Sequence, residues 1–131
     1  MAHTDPIADF LNRLKNASQR RIEVVQLPSS KIKLEIARSL KANGYIADYE
    51  YAEKDQKTLL TVTLQYFDRL PAIRDFKRIS TPGQRLYSNV ESLQKGSRRN
   101  QTVIVSTSKG LMTTKDAKAQ KLGGELICQL W

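Results

Sequence analysis

The spacing of apolar residues changes period several times along the chain, and each change predicts an element. Asp5-Pro6 opens a helix of about three turns, since Asp accepts from free backbone N–H groups and Pro is tolerated at the first helical position. Ile7, Phe10, Leu11 and Leu14 then fall on one apolar stripe, with Asp9, Asn12, Arg13 and Asn16 opposite. On pattern alone a solvated face is the better reading of those four. Residues 22–27 alternate and are β-branched, which predicts a strand. Pro28-Ser29-Ser30 introduces a second helix with Ile32, Ile36 and Leu40 aligned, and Asn43-Gly44 stops it. Strands over 45–51 and 58–66 form a hairpin through the charged segment Glu53-Lys54-Asp55-Gln56-Lys57, with Leu60, Val62, Leu64 and Tyr66 on one face. The first half reads α-β-α-β-β, one small sheet with helices on one face, ending near Asp68. Arg69-Leu70-Pro71 is the expected join.

The second half is mainly β with short helices. A strand is expected over 73–80, then a Pro82-Gly83 turn with glycine supplying a positive φ, and a returning strand over 85–88. A short helix over 90–95 and a loop over 96–101 precede a strand over 102–105. Thr113 with Asp116 three residues later resembles a capping box, opening a helix that Gly123-Gly124 ends. Leu126, Cys128 and Leu130 alternate with Ile127, Gln129 and Trp131 along a closing strand, which makes Cys128 a small core residue. The fold class is α/β in the α+β sense: two small packed domains, residues 1–68 and 69–131.

Composition narrows the function. The chain has 131 residues, 40% of them apolar, enough for a core. Lys and Arg number 22 against 13 Asp and Glu, a formal net charge of +9 spread along the whole length, so the expected partner is a polyanion. Membrane is the weaker candidate, because no apolar run approaches the roughly 18 residues needed to span a bilayer. The first six residues carry no secretion signal, so the protein is expected to stay on the side of the membrane where it is made. One cysteine permits neither an internal disulfide nor a multi-cysteine metal site. His3 is the sole histidine, and no predicted helix carries paired carboxylates at helical spacing within its body, so a nuclease or RNA-modifying enzyme is disfavoured. No catalytic residue, metal or cofactor is expected.

Ser106-Thr107-Ser108-Lys109-Gly110 places three hydroxyls, a cation and a glycine directly after an apolar strand. Hydroxyls both donate and accept, so they can pair with base edges, ribose and phosphate, while Gly110 lets backbone approach closely. A turn that satisfies its own backbone fits the residues equally well. A phosphate-cradling loop does not, because its glycines must precede the lysine. Lys77-Arg78 and Arg85 flank the Pro-Gly turn, Lys31 and Lys33 open the second helix, and Arg98-Arg99 sit in a loop. Tyr87 could stack on a base or fill the sheet, with the core reading slightly favoured.

Several stretches in register resemble one family. Thr4-Asp5-Pro6-Ile7-Ala8-Asp9 with Arg13 and Asn16-Ala17 resembles its opening helix, and Pro28-Ser29-Ser30-Lys31 followed by Gly44-Tyr45-Ile46 its next helix and strand. Lys77-Arg78-Ile79-Ser80 with Pro82-Gly83 and Arg85-Leu86-Tyr87 is similar to one signature. Ser106-Thr107-Ser108-Lys109-Gly110 with Met112-Thr113 and Ala117 is similar to another, and Gly123-Gly124-Glu125 through Trp131 to a third.

The family they resemble is the bacterial-type small-subunit ribosomal protein eight (uS8), and the resemblance implies a structural constituent of the ribosome. Such a protein binds the central domain of small-subunit (16S-type) RNA at an irregular stem and helps assemble the platform of the 30S-type subunit. It implies that 69–131 holds the principal RNA-binding surface, with Ser106, Thr107, Ser108, Lys109 and Gly110 at the distorted base pairs and Tyr87, Gly124 and Glu125 close by. Thr4, Asp5, Pro6, Arg13, Asn16, Ser30 and Lys31 would supply a second contact from 1–68. Lys33, Arg78 and Arg85 join them as candidates on charge. Small-subunit proteins five and twelve are the implied neighbours, the protein's own messenger RNA a further ligand, and the cytoplasm the implied location, with no homo-oligomer. Gly96-Ser97-Arg98-Arg99-Asn100-Gln101 departs from the family, which has an apolar run with paired glycines there, and predicts added phosphate contacts.

Overall fold

The structure is a computed structural model that describes residues 5–89 and 101–131. The expected helix over 90–95 and the Arg98-Arg99 loop lie outside the described residues. Three helices and ten strands are found among those described, so the fold is α+β. The chain divides into two compact units, one of Ile7–Arg74 and one of Asp75–Trp131 with the segment ending at Pro6.

In the first unit, α1 (Pro6–Gln19) is longer than expected because the apolar stripe continues: Ala17 and Ser18 are buried with Phe10, Leu11 and Leu14. Strand β1 (Val24–Pro28) leads to Ser30, whose hydroxyl accepts from the Lys33 amide and caps α2 (Lys31–Ala42). Ile36, Ala37 and Leu40 bury one face of α2, which packs along β2 (Ile46–Lys54). Strand β3 (Lys57–Leu64) lies between the other two, in the antiparallel order β1-β3-β2. Leu60, Val62 and Leu64 are buried on alternate positions, as the period of two requires.

The hairpin connection is shorter than the expected charged segment. Strands β2 and β3 pair as far as Lys54↔Lys57, leaving a two-residue turn of Asp55 and Gln56, both at positive φ (53° and 64°). A second such ribbon follows. Tyr66, expected on β3, belongs to β4 (Tyr66–Phe67), which pairs with β5 (Leu70–Pro71), so Leu70-Pro71 is a return strand and not a simple join.

In the second unit, β10 (Gly124–Leu130) is the organising strand. It pairs with β6 (Phe76–Arg78), β7 (Tyr87–Ser88) and β8 (Thr102–Thr107), and β8 pairs in turn with β9 (Gly110–Thr113). The strands expected over 73–80 and 85–88 shorten to three and two residues. A turn does form at Pro82-Gly83, closed by Thr81 and Gln84, but Gly83 is not among the residues with positive φ, so the proline-led turn does not need it. Thr113 caps α3 (Thr114–Ala119) by accepting from the Asp116 amide at 3.3 Å. That helix ends at Gln120, and Lys121 (φ 56°) takes the left-handed position that Gly123-Gly124 was expected to supply. Val105, Met112 and Ala117 form a buried cluster with Val103, Leu122 and Leu126 packed against it.

A β-bulge between Leu126 and Cys128 buries Ile127 as well as Cys128, which departs from strict alternation. Burial pushes the Cys128 thiol from its ordinary 9.0 up to about 12, against a smaller opposing pull from Arg78.

Two outcomes follow from these local features. A positive φ is unfavourable for Gln56, so Gln56→Gly should raise the free energy of denaturant unfolding by about 1 kcal/mol. The folded thiol ionises near 12 and an unfolded one near 9.0, so the stability it confers is full below pH 9 and is lost as pH climbs toward 12. At pH 8, Cys128 should therefore alkylate no faster than the protein unfolds, and faster labelling in a native stopped-flow assay would show an accessible thiol.

Candidate nucleic-acid interface

Gly124 and Glu125, at the start of β10, hold the candidate residues of the C-terminal unit together. Glu125 is the register partner of Tyr87 on one side and of Ser106 on the other. Direct partners in antiparallel strands project to the same face, so Tyr87, Glu125 and Ser106 form one row, roughly 10 Å across from Tyr87 to Ser106 at two strand spacings. Val105, one position earlier on β8, points the other way into the buried cluster.

Close approach of backbone makes this row possible. A Cβ on Gly124 would stand 2.0 Å from the Ser106 carbonyl oxygen, and one on Gly123 would stand 2.6 Å from the Ser88 carbonyl oxygen. The obstacles are main chain, which cannot swing aside as a flexible side chain would. The glycine pair, read from sequence as a helix stop, is instead what lets β7 and β8 flank β10 closely.

The hydroxyl-rich segment divides into working parts. Strand β8 runs through Ser106 and Thr107, and the reversal consists of Ser108 and Lys109 alone. Thr107 braces it: its hydroxyl donates to the Gly110 carbonyl at 2.8 Å and accepts from the Lys109 amide at 3.1 Å. Gly110 takes φ 108°, a conformation that L-residues avoid. The turn reading holds for Thr107, which satisfies the turn's own backbone, while Ser108 and Lys109 stand exposed at its tip.

Tyr87 is 72% exposed, against the core reading that its spacing favoured. Its strand is two residues long at the rim of the sheet, and periodicity cannot register that position. Beside it, Arg85 and Glu125 form an ion pair at 3.1 Å, Glu125 largely buried and Arg85 half exposed. Sequence reasoning missed this pair, because forty residues separate the partners and only the β10 register brings them together. It leaves a carboxylate that can accept from base amino groups or ribose hydroxyls, with a cation that offsets its repulsion of phosphate.

Other candidates have structural tasks. Arg78 donates to Asp5 at 2.9 Å and also to the Ile127 carbonyl, and its side chain is 9% exposed against 19% for Asp5. This semi-buried pair ties the chain before α1 to β6 and β10, which leaves Arg78 little surface for a polyanion. In the other unit, Arg13 and Asn16 are exposed and three residues apart on α1, hence on one face. Ser30 is a helix cap, Lys31 is exposed, and Lys33 donates to the Pro28 carbonyl at 3.0 Å. Pro6 is the exposed first residue of α1, and Thr4 lies outside the described residues.

A family described as Ribosomal protein S8 matches residues 5–131. Small ribosomal subunit protein uS8 of Leuconostoc mesenteroides is 46% identical over 132 residues and that of Dictyoglomus thermophilum 46% over 131. The protein of the same description from Syntrophomonas wolfei is 44% identical over 132. In all three the match covers the whole of this chain and of the relative.

The close approach at Gly124 gives a direct check. Gly124→Ala should destabilise the protein by about 2–3 kcal/mol, the upper range for overpacking, because main chain must shift. Amide exchange should accelerate along Ser106 and Glu125, and an unchanged exchange pattern would mean the approach is looser than stated.

Proposed function

The chain belongs to the ribosomal protein S8 family, and from that premise we propose how it engages its RNA. It is a structural constituent of the small ribosomal subunit that binds ribosomal RNA and works among other ribosomal proteins, and it is not an enzyme. In the reading proposed here it binds the central domain of the 16S-type RNA directly, at an irregular stem, and helps form the platform of the subunit in the cytoplasm. Ser106, Ser108 and Lys109 meet the distorted pairs, Tyr87 offers an aromatic face, and Glu125 with Arg85 lies between. Thr107, Gly110 and Gly124 keep those groups in place. The observation that carries this reading is the row Tyr87-Glu125-Ser106 set across three adjacent strands beside the exposed Ser108-Lys109 turn.

The chemistry suits an irregular stem. A regular A-form helix hides base edges in a deep narrow groove, whereas distorted pairs expose donors and acceptors that hydroxyls can meet in either sense. Lys109 and the distributed +9 charge hold phosphate, a contribution that does not depend on sequence. Arg13, Asn16, Ser30 and Lys31, with Thr4, Asp5 and Pro6, supply a second contact in the same proposal, Ser30 through its helix N-terminus. Small-subunit proteins five and twelve are the proposed neighbours, and a messenger stem that imitates the ribosomal one would meet the same surface.

Electrophoretic shift with the central-domain stem tests this. Ser106→Ala and Ser108→Ala should each weaken binding by about 1 kcal/mol or more for a lost hydrogen bond, and affinity should fall steeply with salt. Equal affinity for the stem and a random duplex at near-physiological salt would overturn the specific reading.

A further inference from the structure

Phe67 and Leu70 leave large apolar surface in solvent, at 59% and 55% exposed. They are direct partners in the β4–β5 ribbon and so project from the same face. The ribbon reverses through Asp68 and Arg69, both at positive φ (50° and 69°), where turns of this kind favour asparagine and glycine. Three contacts hold it in that unfavourable form. The Arg21 guanidinium donates to the Arg69 carbonyl, the Tyr66 hydroxyl donates to the Ile22 carbonyl at 2.6 Å, and the Ala72 amide donates to the Gln65 carbonyl at 2.9 Å. A strained turn braced from outside displays its side chains already ordered, which lowers the entropic cost of binding.

Next to the ring is an open cleft of 290 Å³, lined by Phe67, Leu70, Pro71, Tyr45 and Arg74 among others. We propose that this cleft takes an unstacked nucleobase of ribosomal RNA, laid on the Phe67 ring, with the Arg74 guanidinium beside its phosphate. The proposal rests on ribosomal RNA being the partner, but uses none of the residues assigned to RNA above. A flat ring in an open cleft matches any base, because every base has a π-face, and irregular RNA supplies bases splayed out of their stack. Charge favours RNA over a protein neighbour: ribbon and cleft carry Arg69 and Arg74 against the one carboxylate of Asp68, on a chain of net charge +9. A side chain from a protein would bury the ring equally well but would leave the net positive charge of ribbon and cleft unmatched.

The test uses the full chain assembled into small subunits. A diazirine-bearing side chain at Leu70 and, separately, at Ser108 is irradiated, and the products are digested with ribonuclease. The expected result is a ribonuclease-sensitive adduct at both positions. Phe67→Leu, which keeps apolar contact but removes the π-face, should weaken RNA binding roughly tenfold with an unchanged unfolding midpoint, within the range measured for losing one stacked base. A protein adduct at Leu70, or no adduct there while Ser108 labels RNA, overturns the nucleobase cleft alone. RNA adducts at neither position would overturn the Ser108 reading with it, and equal affinity for Phe67→Leu and the unmodified chain would remove stacking.

Discussion

Two backbones pass each other at Gly124 with no room for a side chain, and the C-terminal unit depends on that contact. With Ser106's carbonyl oxygen 2.0 Å from where a Cβ would stand, β10 and β8 can lie in their register only if residue 124 is glycine. That register places Glu125 opposite Ser106 and Tyr87, and Leu126 opposite Val105. One consequence faces inward, where Leu126 closes over the Val105, Met112 and Ala117 cluster. The other lies on the opposite face, where an exposed aromatic ring, a largely buried carboxylate and a half-buried hydroxyl line up. Because side chains alternate, a slip of one residue would exchange the two sets and turn Glu125 and Ser106 toward the Val105 cluster. Core and proposed interface thus depend on a single constraint.

Charge is organised at two levels. The net charge of +9 acts at a distance and needs no particular geometry. Close up, several cations are already engaged: Arg78 with Asp5, Arg85 with Glu125, Lys41 with Asp48 at 3.0 Å, and Lys33 with a carbonyl. These pairs are not equivalent. The Arg78–Asp5 pair is largely withdrawn from water, so losing either partner strands a charge, whereas the exposed Lys41–Asp48 pair is screened and adds little. Engagement with Lys41 and the Tyr49 amide still lowers the Asp48 carboxyl below its ordinary range.

Helices and long strands were legible because their apolar periods are strong. The stripe of α1, the Ser30 cap, the Thr113 cap and the alternation of Leu60, Val62 and Leu64 all appear where spacing puts them. What could not be read depends on contacts between distant residues or on backbone forms that composition hides. Asp55-Gln56 and Asp68-Arg69 reverse the chain at positive φ without glycine, while Gly83 occupies a turn that needs no positive φ. Of the candidate site, the place of residues 106–110 at the end of an apolar strand was legible, the bracing role of Thr107 was one of two open readings, and the exposure of Tyr87 went against its spacing.

The division of labour among the hydroxyls bears on the proposed contact between this segment and irregular RNA. A tip made only of mobile hydroxyls would lose side-chain and backbone freedom on binding, and that cost would offset each weak hydrogen bond gained. Here Thr107 makes two bonds to the turn it closes, so Ser108 and Lys109 are carried on a backbone ordered before any ligand arrives. Ser106 is fixed more firmly still, by strands on both sides. A hydroxyl on a rigid frame can turn its proton toward an acceptor or its lone pairs toward a donor. Its position is therefore specific while its polarity is not, a combination matched to base pairs whose edges depart from the regular pattern.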